Sequence, residues 1–185
     1  MTDRDARAVI LAAGTSSRIG KQKLLMDFRG RPLIEYAIAA AQRWHPLVVC
    51  GREVAEYLAL RCDLAVVLND DPERGMSHSL ALANRRLPSD AAMLVVLGDK
   101  PLVSESLIEA VCAQAQAADF VYPSRDEEPG HPVLLSPRAR QFIEYVPPGD
   151  TLRLLRSNPH LISRAVQTED EGAFFDVDTI EALSV

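Results

Sequence analysis

Residues 11–23, LAAGTSSRIGKQK, follow the apolar run Ala8-Val9-Ile10-Leu11 and crowd two glycines, three hydroxyl residues and the cations Arg18, Lys21 and Lys23 into one stretch. Glycine lets backbone N–H groups turn inward, and with Ser16, Ser17 and the three cations they suit a nest for phosphate oxygens. Gly14, Gly20 and Lys21 satisfy the GxxxxGK spacing, but Gln22 stands where a P-loop needs the hydroxyl that ligates Mg²⁺, and GxGxxG is absent. A phosphate loop of another kind is indicated; the competing reading is a surface turn with solvated basic residues. Two acidic stretches extend the chemistry. Asp99, in Gly98-Asp99-Lys100-Pro101, ends the most apolar run of the chain, where one carboxylate suffices to hold Mg²⁺ on a triphosphate, because phosphate oxygens fill most of an octahedral shell. Its alternative role is a turn or helix-capping aspartate. In Asp176-Val177-Asp178-Thr179, extended-chain alternation sends both carboxylates to one side, and Asp178 either joins a metal site or caps a helix over TIEAL.

Those residues need elements to position them. Short runs rich in Val, Ile and Leu at 8–12, 47–50, 65–68 and 93–97 alternate with longer amphipathic stretches, which predicts βαβ units. Met93-Leu94-Val95-Val96-Leu97 is apolar on both faces, as a central parallel strand covered by helices must be. Helices are predicted over 32–43, opening on Pro32, and over 104–118, with Ser104 as N-cap. After residue 123 come a polar turn, the run HPVLLS, a helix around 137–145, a break at PPGD and a short helix near 151–157. Ligands of open α/β sheets gather at the carboxyl ends of the strands, so the glycine loop and Asp99 are expected at one edge. With no linker or repeat, residues 1–185 read as a single domain.

Bulk properties narrow the class. With 48% hydrophobic and 25% charged residues the chain has the balance of a globular protein. A net charge of -6 argues against gripping a polyanion, and aromatic residues at 5% form no stacking platform, so nucleic acid is not an expected partner. Nowhere do about 18 apolar residues run together, so no membrane is expected either, and the acidic N-terminus lacks a secretory pattern. The expectation is a cytoplasmic monomer whose three cysteines, Cys50, Cys62 and Cys112, are reduced core thiols. His45, His78 and His160 have no metal-ligand spacing.

Taken in order, ILAAGTSSRIGKQK, Asn69 to Leu80 (NDDPERGMSHSL), VVLGDKP, Gly130-His131-Pro132-Val133-Leu134 and FFDVDT resemble the nucleotidyltransferases that act on the molybdenum cofactor, especially the cytidylyltransferase branch. The resemblance covers nearly the whole chain. It implies a Rossmann-like three-layer α/β/α sandwich with a mostly parallel sheet, of the nucleotide-diphospho-sugar transferase kind. By the resemblance, Leu11, Ala12, Ala13 and Gly14 contact base and ribose, and Arg18 and Lys23 neutralise the triphosphate. Asn69, Gly75, Ser77 and Ser79 line the nucleotide side, where a helix starting near Gly75 offers its N-terminal amides. Asp99 and Asp178 hold Mg²⁺, with Asp176, Lys100 and His131 toward the acceptor; His131 before Pro132 also reads as an ordinary turn residue. The spelling Leu-Ala-Ala-Gly favours CTP, since the guanylyltransferases commonly carry Leu-Ala-Gly-Gly. Three departures stand out: Ile19 for Met, Lys100 for Gln, and Gly149-Asp150-Thr151-Leu152-Arg153 for Gly-Asp-x-Gly-Ala-Arg.

The implied reaction is attack of a molybdopterin phosphate oxygen on the α-phosphorus of CTP, expelling pyrophosphate, with Arg18, Lys23 and Asp99 carrying catalysis. Alternatives are GTP as donor, a sugar or alcohol phosphate as acceptor, or a non-catalytic escort that delivers the cofactor to a molybdoenzyme or its chaperone.

Overall fold

The protein is described by a computed structural model over residues 6–14, 22–60, 64–147, 151–179 and 183. Of the expectations above, those on Ser16, Ser17, Arg18, Ile19, Gly20, Lys21, Cys62, Gly149 and Asp150, and on residues 180–182 of TIEAL, lie outside these residues.

The chain runs β1 (Ala6–Ala12), a hairpin of β2 (Asp27–Phe28) and β3 (Arg31–Pro32), α1 (Leu33–Ala41), β4 (Leu47–Cys50), α2 (Arg52–Leu58) and β5 (Ala65–Leu68). It continues through α3 (Gly75–Asn84), β6 (Ala92–Leu97), α4 (Glu105–Cys112), β7 (Phe120–Arg125), β8 (Glu128–Pro129) and β9 (Val133–Leu135). The last elements are α5 (Pro137–Arg140), α6 (Thr151–Arg156) and β10 (Ser163–Gln167). Among the described residues one sheet has the order β10-β7-β9-β6-β1-β4-β5, with β8 on β7. β1 pairs in parallel with β4 and β6, as β4 does with β5 and β10 with β7.

Why this is a layered sandwich follows from alternation within the strands. Ala8, Ile10, Leu94 and Val96 face a core shared with Leu33, Ile34, Ala37 and Ile38 of α1 and with Ile108 and Val111 of α4. Val9, Met93 and Val95 face the opposite core, closed by Leu80 and Ala83 of α3, Ala139 of α5 and Leu155 of α6. The central strands are therefore buried on both faces, and each fully buried Ile or Leu contributes about 1.5–3 kcal/mol of transfer free energy. Helix α4 starts where Ser104 Oγ accepts a hydrogen bond from the Leu107 N–H at 3.1 Å.

Two expectations need correction in detail. The helix predicted over 104–118 ends at Cys112 and unwinds into i→i−3 turns such as Ala115 N–H to Cys112 O. The helix predicted around 137–145 is α5 plus a separate 3₁₀ turn, Ile143–Tyr145, because Arg140 is drawn inward. Only 5% exposed, its guanidinium donates to Asn84 Oδ1 at 2.8 Å, Asn84 O at 3.2 Å, Pro88 O at 2.6 Å and Ala91 O. Those bonds fasten α5 to the end of α3 and to the entry of β6.

One feature of the topology matters most for function. β9 lies antiparallel between β6 and β7, with Val133 opposite Val95. A reversed strand delivers its own beginning to the edge where its neighbours end, so His131 and Pro132 lead into β9 at the end of β6.

Candidate active site

The parallel strands β1, β4, β5 and β6 end together, and the residues that follow them form one rim. Gly98 closes that rim: its N–H donates to Leu11 O at 3.0 Å. A Cβ there would stand 3.0 Å from Ile34 Cδ1 and 3.2 Å from Leu11 O, tighter than ordinary contacts, so a side chain would press the end of β6 a few tenths of an ångström away from β1. The result is a cleft of about 290 Å³ lined by Leu11 to Gly14, Lys23, Gly75, Met76, Ser79 and Asp99, with Leu24, Pro72 and Leu97 completing the wall. These last three adjoin or face predicted residues; their apolar side chains gave no chemical signal of their own.

At the mouth of the cleft, Lys23 Nζ donates to Asp99 Oδ2 at 3.0 Å and to Asp178 Oδ1 at 3.4 Å. Residues 76 and 155 positions away from Lys23 thus meet on one ammonium. The lysine side chain is 12% exposed, against 29% for Asp99 and 57% for Asp178, so the cation sits below a partly open pair of carboxylates. Two hard oxygen donors within reach of a single cation fit a Mg²⁺-type ion that takes its remaining ligands from water and phosphate. No cluster of three or more His, Cys, Asp or Glu suited to a metal occurs among the described residues.

The opposite wall is the start of α3. Gly75, at φ +77°, turns the chain from the 3₁₀ turn Pro72–Arg74 into the helix, a conformation that favours glycine. No side-chain hydrogen bond caps this helix, whose Gly75 N–H donates to Pro72 O; Gly75, Met76 and Ser79 line the cleft, and the start of a helix attracts anions. Asn69 braces the loop: Nδ2 donates to Ser79 Oγ at 2.9 Å and Oδ1 accepts from the Asp71 N–H at 2.9 Å. Asn69 and Ser77, expected on the nucleotide, are both buried and support the wall from behind; Ser77 Oγ donates to Arg74 O at 3.4 Å.

The acceptor-side residues divide. Val177 is fully buried and Asp176 and Asp178 are exposed on either side of it, the alternation expected of an extended chain, although the segment joins no sheet. Asp178 meets Lys23, whereas Asp176 approaches Lys100 at 3.9 Å. Lys100 is 5% exposed and turned inward, its Nζ donating to Phe174 O at 3.0 Å and Phe175 O at 3.4 Å. Burial lowers its pKa, while Asp176, Asp99 and Asp178 pull the other way. His131 donates its backbone N–H to Ala173 O at 2.9 Å, and its Nδ1 is buried with no hydrogen-bond partner among the described residues. Burial, helped by the Lys100 charge, pushes its pKa down to about 3, so the ring is neutral at physiological pH. It lines a second cavity of about 200 Å³ with Tyr122, Leu152, Arg153 and Arg156. Cys50 and Cys112 are buried, and burial raises the Cys50 pKa to about 11, which keeps that thiol protonated at physiological pH.

The sequence pattern of the MobA-like NTP transferase domain matches residues 8–163. The chain belongs to this family. Among curated relatives, the bifunctional protein GlmU of Rhizorhabdus wittichii is 32% identical over 126 residues, which is 64% of this chain and 28% of GlmU. The chain thus spans under a third of that relative's length. Among solved structures, Rv0371c of Mycobacterium tuberculosis H37Rv in complex with manganese superposes with a TM-score of 0.81 at 20% identity, covering 97% of this chain and 96% of that one. Molybdopterin-guanine dinucleotide biosynthesis protein A of Archaeoglobus fulgidus gives 0.74 at 20% identity, covering 96% and 95%. These likenesses show the fold: the single α/β domain with its mostly parallel sheet is that of the MobA-like NTP transferases. Among the described residues no helix is long and apolar enough to cross a membrane.

Proposed function

We propose that this nucleotidyltransferase moves CMP from CTP to the terminal phosphate of a molybdopterin-type acceptor and releases pyrophosphate. The observation that carries the reading is the meeting of Lys23, Asp99 and Asp178 at the mouth of a cleft whose walls are the Leu11 to Gly14 turn and the start of α3. An acceptor phosphate oxygen attacks the α-phosphorus as the bond to the β-phosphate oxygen breaks, and the leaving pyrophosphate carries away that electron pair. No enzyme nucleophile takes part. The turn and the α3 amides hold the nucleotide in line, and Lys23 meets the charge that grows on the leaving group. Asp99 and Asp178 would hold Mg²⁺, which when bound offsets triphosphate charge. Arg18, outside the described residues, would add a second cation. His131 and Asp176 would face the acceptor, with the Tyr122, Arg153 and Arg156 cavity continuing that side.

CTP is favoured by Ala13, which lines the cleft where the guanylyl-transferring relatives of the resemblance commonly carry glycine. GTP is the second reading, supported by the name of the Archaeoglobus fulgidus neighbour. Pyrophosphate release from CTP, GTP, ATP and UTP, with Mg²⁺ and with or without molybdopterin, tests both. Acceptor-dependent release from CTP is expected. Release from GTP alone would transfer the assignment to the second reading, and tight nucleotide binding with no release under any condition would make the protein an escort.

A further inference from the structure

Asp178 lies on a segment that belongs to no sheet, so something else must fix where its carboxylate points. Two sets of contacts do so, one from the Lys100 ammonium and one from the Asp99 backbone. Lys100 Nζ donates to Phe174 O at 3.0 Å and Phe175 O at 3.4 Å and stands 3.9 Å from Asp176. Directly beyond, the Val177 N–H donates to Asp99 O at 3.0 Å, so the residue before Asp178 is tied to the backbone of its presumed metal co-ligand. Further back, Arg125 packs over the Phe174 ring at 4.3 Å and pairs with Glu171, which steadies the approach to the segment without reaching Asp178.

From this geometry we infer that Lys100 is a positioning residue: a buried ammonium that straps residues 174–176 to the end of β6 and so sets Asp178 against Asp99 for metal binding. The inference rests on the proposed metal role of Asp99 and Asp178. Charge and position make opposite demands here, which makes the role measurable. Lys100 adds a positive charge beside three carboxylates, so if charge alone mattered, removing it would tighten cation binding. If the strap matters, removing it frees Asp178 and weakens binding, as loss of groups that orient metal ligands does.

The test is a Mn²⁺ titration of the full chain followed by electron paramagnetic resonance, for wild type, Lys100→Met, Asp178→Asn and the double variant, with thermal unfolding recorded alongside. Lys100→Met is expected to weaken Mn²⁺ binding by roughly 10-fold, and to weaken it no further once Asp178 is already Asn. Unchanged or tighter binding in Lys100→Met would overturn the inference while leaving the metal site standing. So would weakening that is just as large in the Asp178→Asn background. Wild-type affinity in Asp178→Asn itself would remove the metal site, and the strap's purpose with it. Should Lys100→Met not unfold cooperatively, Lys100→Gln carries the same test, because its amide keeps a neutral donor: affinity within about 2-fold of wild type supports the strap, and marked tightening supports charge alone and overturns it.

Discussion

Lys23 holds two carboxylates that the proposed reaction assigns to a metal, and that double contact has a consequence at the level of one residue. Without nucleotide the ammonium stands where a divalent ion would be drawn, so lysine and metal compete for Asp99 and Asp178. A bound triphosphate would give the ammonium a second set of anionic partners and relieve the competition. Lys23→Ala is therefore expected to lower turnover by about 10²–10³-fold, as loss of a charge-stabilising donor does, yet to bind Mn²⁺ alone more tightly than wild type. Pyrophosphate release and a Mn²⁺ titration without nucleotide check the two halves; weaker Mn²⁺ binding in the variant would mean that the lysine supports the site instead of competing in it. Lys23 and Asp99 were legible as chemistry because a cation near a glycine loop and a carboxylate at the end of an apolar strand carry their own signal. The inward turn of Lys100 was not, because its partners are main-chain carbonyls 74 and 75 residues away that no side-chain pattern announces.

At the scale of elements, the four parallel strands that end at the cleft were readable from short Val- and Leu-rich runs; burial on both faces leaves β1, β4 and β6 little polar alternation, and the half-exposed edge strand β5 keeps an apolar run all the same. β9 was readable as an apolar run but not in direction: three residues, Val133–Leu135, carry nothing that distinguishes parallel from antiparallel pairing. Its reversal nevertheless brings His131 to the edge where β6 ends, in the wall of the second cavity. The closeness of β1 and β6 makes a sharper demand, because a side chain at position 98 would meet Leu11 O, which cannot step aside as the tip of Ile34 can. Gly98→Val is expected to destabilise the fold by about 1–3 kcal/mol in urea unfolding and to raise the KM for the nucleoside triphosphate by parting Asp99 from the Leu11 to Gly14 turn. Wild-type stability together with a wild-type KM would show that the rim tolerates a wider gap.

For the molecule as a whole, alternation in β1 and β6 divides the apolar residues between two cores, and that division made the three-layer sandwich recoverable from sequence. Where a polar group is trapped between layers, the sequence offers much less, because burial of a histidine depends on partners distant in the chain. His131 is such a group, and it couples the fold to pH. Its folded-state pKa of about 3 lies below the ordinary value of 6.5, so across that window the unfolded chain binds the proton that the folded chain refuses. The stability that depends on a neutral ring is complete above pH 6.5 and is lost as pH falls toward 3, at about 1.4 kcal/mol per pH unit. Between pH 7 and pH 5 this one residue should therefore remove about 2 kcal/mol. Urea unfolding of wild type and His131→Gln at the two pH values isolates the contribution, because every other titrating group is common to both proteins. The variant should lose about 2 kcal/mol less than wild type on acidification. Equal losses would mean that the imidazole finds a partner or solvent for its second proton, and that the neutral ring is not a requirement of the fold.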